Sequence, residues 1–204
     1  SAITIQTTQP VVIENCTLTG TGNLITGNNV SLTVINTTGI GSFPNAAGLT
    51  LGSFISVGSI KSLVVKNCHI EKVKLGVYVL KYAGSGTGTR ISVLNNTFLN
   101  MDGRTSDGSG GGIQPGVGRS HAIQLNQVQG VRNIEIAWNE IINEPYVSQI
   151  NDTINMYDSS GTTSSHIKIH DNYLQGSFPG IPGQKNNYPG GGIIKDESVS
   201  VTGP

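Results

Sequence analysis

The chain carries little charge and few aromatic rings: Asp, Glu, Lys and Arg make up 12% of its 204 residues, and Phe, Trp and Tyr 5%. Its 12 basic and 12 acidic residues cancel, so no basic field exists to hold a phosphate backbone, and nucleic acid is excluded as an expected partner. No apolar run reaches the length of a membrane-spanning helix. No charged and apolar leader is visible, so any signal peptide is expected to be already gone. A helical hydrophobic period is missing throughout. Cysteine is scarce, with two residues, enough for one disulfide at most.

What the chain has instead is repetition. A template of apolar, any, apolar, any, any, Asn, any, apolar is filled by Ile91, Val93, Asn96 and Phe98, by Ile134, Ile136, Asn139 and Ile141, and by Ile167, Ile169, Asn172 and Leu174. Two earlier copies carry Cys in the Asn slot: Val11, Ile13, Cys16, Leu18 and Leu63, Val65, Cys68, Ile70. A looser copy, Leu32, Val34, Thr37 and Ile40, lies between them.

Apolar residues two apart, mostly β-branched, predict a short strand with one buried face. The slots 16, 37, 68, 96, 139 and 172 are spaced by 21, 31, 28, 43 and 33 residues. A fixed strand with a variable period is what a coiled β-solenoid produces, because each turn keeps its wall and lets its loops vary. A second set of strand-like stretches, beginning at Phe54, Gly76, His121, Asp152 and Gly191, predicts another face of the same coil. The expected fold is all-β: a right-handed parallel β-helix of about six or seven coils, forming one domain over residues 1–204. The handedness rests on the general preference of parallel crossovers. Loop excursions are expected at 102–119 and 176–192, both rich in Gly.

The slot residues Cys16, Thr37, Cys68, Asn96, Asn139 and Asn172 are expected to form an inward structural ladder, the Asn side chains passing amide hydrogen bonds up the stack. Cys16 and Cys68 then stand two coils apart, about 9–10 Å, beyond the roughly 7 Å Cα separation that a disulfide tolerates. Two free, buried thiols follow. Five glycosylation sequons begin at Asn15, Asn29, Asn36, Asn95 and Asn151, and chance explains most of them in a chain so rich in Asn and Thr.

Long loops beside a rigid scaffold commonly build a cleft, and the candidate face lies next to these two. Tyr78, Gln124 and Asn155 take matching outward positions, Lys81, Gln127 and Asp158 lie three residues further on, and Arg119, His121, Asp152, Lys195, Asp196 and Glu197 complete the neighbourhood. Tyr78, Gln124, Gln127, Asn155 and His121 suit a polysaccharide, which is read by many hydrogen bonds and a few aromatic faces. A solvated sheet face shows such residues as well. For cleavage, a hydrolase needs two carboxyl groups about 5–9.5 Å apart, a role open to Asp158 with Asp196. A uronate lyase needs a base and a cation for the carboxylate, a role open to Lys195 with Arg119. No specific motif marks either set. "GSGTG" at 84–88 reads as a flexible corner and not a phosphate loop. Asp102 and Asp107 among glycines are the one hint of calcium, at a spacing that fits no established ligand loop. The four His residues form no metal-ligand spacing, and no cofactor is otherwise expected.

The coil repeats resemble those of the pectate-lyase-like superfamily over nearly the whole chain. Residues 121–197, with "HAIQLNQVQG", "NDTINMYDSSGT" and "GGGIIKDE", are similar to uncharacterised bacterial secreted β-helix proteins. The resemblance implies an extracellular or cell-surface setting and a polysaccharide partner, and it carries over no catalytic residue. Superfamily members commonly cover their ends with a helix. Here "SAITIQTT" and "SVSVTGP" show none, so the expectation is a piece of a longer solenoid or ends covered by something else. Uncovered ends template pairing with another chain. A structural or adhesive protein stacking end to end into a filament is therefore the alternative reading.

Overall fold

The structure, a computed structural model, describes residues 1–84, 90–178 and 190–196. Most of the "GSGTG" corner, residues 179–189 of the second excursion, and Glu197 lie outside the described residues.

The chain winds through three parallel sheets in rotation. Sheet I contains Ile3–Ile5, Ile25–Asn28, Ser53–Ile60, Leu75–Tyr82, His121–Asn126, Asp152–Tyr157 and Gly191–Asp196, stacked in chain order. Sheet II contains Val11–Glu14, Ser31–Ile35, Ser62–Lys66, Ile91–Leu94, Ile134–Ala137 and Lys168–His170. Sheet III contains Thr17–Gly20, Thr38–Gly41, His69–Glu71, Thr97–Leu99, Glu140–Ile142 and Tyr173–Gln175. Chain-order stacking in all three sheets is a parallel β-helix, of seven coils on sheet I and six on the others. No helix occurs among the described residues, so none is long and apolar enough to cross a membrane.

The core is made of aligned rows. Ile25, Ile55, Val77, Ile123 and Ile154 stack along sheet I, and Val34, Val65, Val93 and Ile136 along sheet II; all are closed to solvent. The repeat template spans two sheets and not one strand. Its apolar pair lies on sheet II, its last apolar residue on sheet III, and the chain bends between them. In the looser copy the structure places Gly39, not Ile40, in register with Leu18 and Ile70. The reason is volume: a Cβ on Gly39 would land inside the ring of buried Phe54, which fills the missing side chain's space from sheet I. Gly76 makes room for Phe98 in the same way.

Every bend between sheets II and III uses one left-handed residue just before the slot: Asn15, Asn36, Asn67, Asn95, Trp138 and Asp171, all with φ between 50° and 55°. Asn and Asp tolerate this conformation best among non-glycine residues. That role accounts for the sequons at Asn15, Asn36 and Asn95. The slot residue then points inward and closes the bend. Cys16 Sγ, Thr37 Oγ1, Cys68 Sγ and Asn172 Nδ2 each donate to the carbonyl two residues earlier.

The three Asn slots also reach back one coil. Asn139 Oδ1 accepts from the Asn96 backbone N–H at 3.1 Å and from Asn96 Nδ2 at 2.9 Å, while Asn139 Nδ2 donates to Val93 O at 2.8 Å. Asn172 repeats the set on Asn139 and Ile136, and Asn96 on Cys68 and Val65. Both thiols are free. Cys68 is buried, and burial raises its pKa; Cys16 is only half-buried, because it belongs to the first coil of the stack.

The 102–119 excursion is more ordered than a loop. Arg104–Ser106 pairs antiparallel with Ile113–Val117, and Thr50 bridges to Thr105. The buried Arg104 guanidinium holds both Asp102 oxygens and reaches the carbonyls of Tyr146 and Val147. Asp102 is thereby neutralised inside the protein, and Asp107 caps the Ser109 N–H at 2.8 Å, so the two carboxylates that hinted at calcium serve their own loop.

Replacing Asn139 with Ala strands the Asn96 N–H and the Val93 carbonyl in a dry interior. Urea unfolding is expected to show a loss of about 3 kcal/mol. Asn95→Gly, which keeps the left-handed bend, should stay within about 0.5 kcal/mol of the parent. Equal losses for the two would show that the ladder contributes nothing specific.

Candidate functional site

Alternation along sheet I sends one side chain in and the next out. Tyr78, Gln124 and Asn155 stand in register on the outer face. One row on, Asn126, Tyr157 and Asp196 are in register with one another. At the start of the strands His121 meets Asp152. Together with Arg119 and Asn151, these rows enclose a cavity of about 390 Å³ lined by His121, Gln124, Asp152, Asn155, Tyr157 and Asp196.

Asn155, 3% exposed, is the hub. Its Nδ2 donates to Asp152 Oδ2 at 3.1 Å and to Asp196 Oδ2 at 3.0 Å, and its Oδ1 accepts from Gln124 Nε2 at 3.2 Å. Two carboxylates can share one amide only if its NH2 faces both, which fixes the orientation of the group. They stand no farther apart than the two contacts laid end to end, at the short end of the about 5–9.5 Å range that glycoside hydrolysis uses. Asp152 Oδ1 also accepts from the Gly191 N–H at 3.2 Å, and Asn151 Oδ1 from the Ser120 N–H at 2.8 Å.

His121, 3% exposed, lies beneath Asp152. Its Nδ1 sits 3.0 Å from the Asp152 carbonyl oxygen, and its buried Nε2 has no hydrogen-bond partner among the described residues. With Nδ1–H donating to the carbonyl, Nε2 keeps an open lone pair. Burial pushes the His121 pKa below the ordinary histidine value. The Asp152 backbone contact and carboxylate oppose this, Arg119 reinforces it, and Asp196 opposes it weakly. Asn126 Oδ1 is a second buried acceptor without a partner, on a side chain whose Nδ2 meets the Tyr78 hydroxyl at 3.3 Å.

The structure brings Arg119, His121, Gln124, Asp152, Asn155 and Asp196 together, keeps Tyr78 in the same outer row beside Gln124, and separates Lys195, Lys81, Gln127 and Asp158 from them. Lys195 is in register with Met156, on the inward row, and lines a different cavity with Met156, Ile167 and Ile169. Sheet I therefore stands between Lys195 and Arg119, and the base-and-clamp pair is not assembled. Lys81, Gln127 and Asp158 lie at or just past the strand ends, at left-handed corners with φ of 65°, 57° and 45°, and line their own cavity with Tyr82 and Gln129. The Asp158 N–H donates to the Asp196 carbonyl at 2.8 Å, but Asp158 lines that other cavity and Asp196 does not. The carboxylate that shares a cavity with Asp196 is Asp152. Asn151 and Tyr157 went unread in the sequence. The signal available was the 31-residue offset that superimposes Gln124 on Asn155 and, equally, Asn126 on Tyr157.

Because folding depresses the His121 pKa, the unfolded chain takes up the proton first as pH falls. The stability this group contributes is fully present above its unfolded pKa of about 6.5 and is lost as pH falls through the folded value. Thermal unfolding between about pH 7 and pH 5 should therefore show a decline that His121→Gln removes. Parallel profiles for parent and variant would mean that burial does not hold this ring neutral.

Comparison of the chain with protein-family models, with curated proteins and with solved structures found no match, so the reading of this site rests on its own geometry.

Proposed function

We propose that this protein is an extracellular β-helix that engages a carbohydrate chain along the outer face of sheet I, with the cavity from His121 to Asp196 as its main subsite. The observation that carries the reading is the Asn155 hub. One buried amide holds two carboxylates and Gln124 in a fixed array, beside a histidine acceptor that nothing in the described protein satisfies. Sugar hydroxyls donate and accept at once, and a rigid array rich in acceptors is what orients them. Tyr78 and Asn126 extend the polar row, and Tyr157 supplies a ring within the cavity. The resemblance of the coils to the pectate-lyase-like superfamily points the same way. So does a chain of neutral net charge, abundant in Gly, Thr and Asn.

The two carboxylates favour cleavage as a second reading of the same cavity. Hydrolysis needs one carboxyl to donate a proton and another to act as nucleophile or base, and Asp152 and Asp196 are close enough to divide those roles.

A panel of immobilised polysaccharides, followed by titration of the best binder, tests both readings. Asn155→Ala should weaken affinity by about tenfold or more, because both carboxylates lose their common donor. Asp152→Asn and Asp196→Asn should each abolish any release of reducing ends if cleavage occurs. Unchanged affinity in Asn155→Ala would sink the binding reading, and unchanged turnover in both Asp variants would remove them from catalysis.

A further inference from the structure

A second groove lies across the outer face of sheet II. Arg90 and Arg132 stand just before neighbouring strands, and Lys168 occupies the outward row with Ser92 and Glu135. With Ser164 they line a cavity of about 650 Å³. Three of the chain's 12 basic residues therefore converge on one groove in a protein with no net charge. None of the three forms an ion pair among the described residues. The one carboxylate in the lining, Glu135, is turned to His170 Nε2 at 3.1 Å.

Glu135 links the groove, through His170, to an aromatic ring outside the cavity lining. His170 meets Trp138 edge to face, with centroids 5.2 Å apart and planes at 85°. Trp138 is the chain's one tryptophan, 50% exposed. It occupies the left-handed bend, φ 54°, where the other five coils have Asn or Asp. A bulky residue is rarely held in that conformation, and such outliers cluster at functional sites. Nothing in the core uses this ring.

We infer that the sheet II groove is a second carbohydrate subsite, selective for an anionic glycan, with Arg90, Arg132 and Lys168 on its carboxylate or sulfate groups and Trp138 against a sugar ring. Guanidinium forks match either anion. From Lys168 to the bend the strand covers roughly 10 Å, a span for a short oligosaccharide. A nucleic acid fits less well: successive bases need successive aromatic platforms, and this groove has one ring beside it. The inference stands on other residues than the sheet I cavity and does not depend on it.

Three polymers with one backbone test it on the full chain by calorimetric titration: dextran sulfate, carboxymethyl dextran and unmodified dextran. One or both anionic forms should bind, the preferred one naming the group recognised. Neutral dextran should bind at least about tenfold more weakly, and rising salt should erode the difference. Arg132→Glu with Lys168→Glu should lower anionic affinity by about tenfold or more while the unfolding transition stays in place. Trp138→Asn restores a residue suited to the bend, so it should weaken binding several-fold, roughly, with no loss of thermal stability. Equal binding of all three dextrans, no binding of either anionic form, or full affinity in the double variant overturns the inference. So does tighter binding of a single-stranded oligonucleotide. Loss of anionic binding in Asn155→Ala alone would assign the glycan to sheet I instead.

Discussion

The fold depends on one local arrangement, repeated in every coil: a left-handed residue turns the chain from sheet II to sheet III, and the next side chain folds inward to satisfy the backbone left open by the turn. Without the first, the apolar rows of the two sheets could not meet. Without the second, the bend would leave buried backbone groups unpaired. The ladder runs Asn96, Asn139, Asn172 in the later coils, and ends in Cys68, Thr37 and Cys16, which close their own bends without a side-chain amide. Because each Asn spends its Oδ1 on the coil before it and its Nδ2 on the same coil's carbonyl, the register of neighbouring coils is held at a single point. A slip of one residue would break every such bond at once.

Fixed register makes surface chemistry from residues distant in sequence. Gln124, Asn155 and Asp196 meet because their strands are locked one above the next, and the same locking stacks Ser92, Glu135 and Lys168 on the adjoining sheet. Both grooves draw on overlapping coils, on neighbouring outer faces of one wall. The Arg104 guanidinium, buried against Asp102 and the carbonyls of Tyr146 and Val147, ties the hairpin excursion to the following coil just before sheet I receives His121. A rigid wall with its longest insertion anchored beside a polar cavity presents a preorganised surface.

The fold was legible because period two and the slot recur in six copies, and repetition averages out local noise. The bend was not read, although Asn15, Asn36, Asn67 and Asn95 stood one before the slot, because the template left that position open. Gly39 was misaligned for a reason no single strand displays: the volume it lacks is supplied by Phe54 from another sheet. At the candidate site the matching rows Tyr78, Gln124 and Asn155 were visible as equal offsets, whereas Lys195 and Asp158 were lost to parity and to strand length. Lys195 is one residue from Asp196, yet that single step moves it to the inward row. Asp158 keeps the offset from Gln127, but both lie at corners beyond the strand.

The two histidines at the grooves show how environment divides one side chain into two roles. His121 is enclosed, and burial holds it neutral with its Nε2 lone pair available. His170 lies open between Asp171, at 2.9 Å from Nδ1, and Glu135, and these two acceptors raise its pKa, the hydrogen bond it donates to Asp171 most. As pH falls, His170 takes its proton first and His121 resists. Protonation of His170 saturates Glu135, the single carboxylate in the sheet II groove, so the three cations there face less internal opposition. Mild acid therefore makes the sheet II groove more electropositive through His170, while burial opposes the same change at His121 in the sheet I cavity, a separation that follows from exposure on one face and burial on the other.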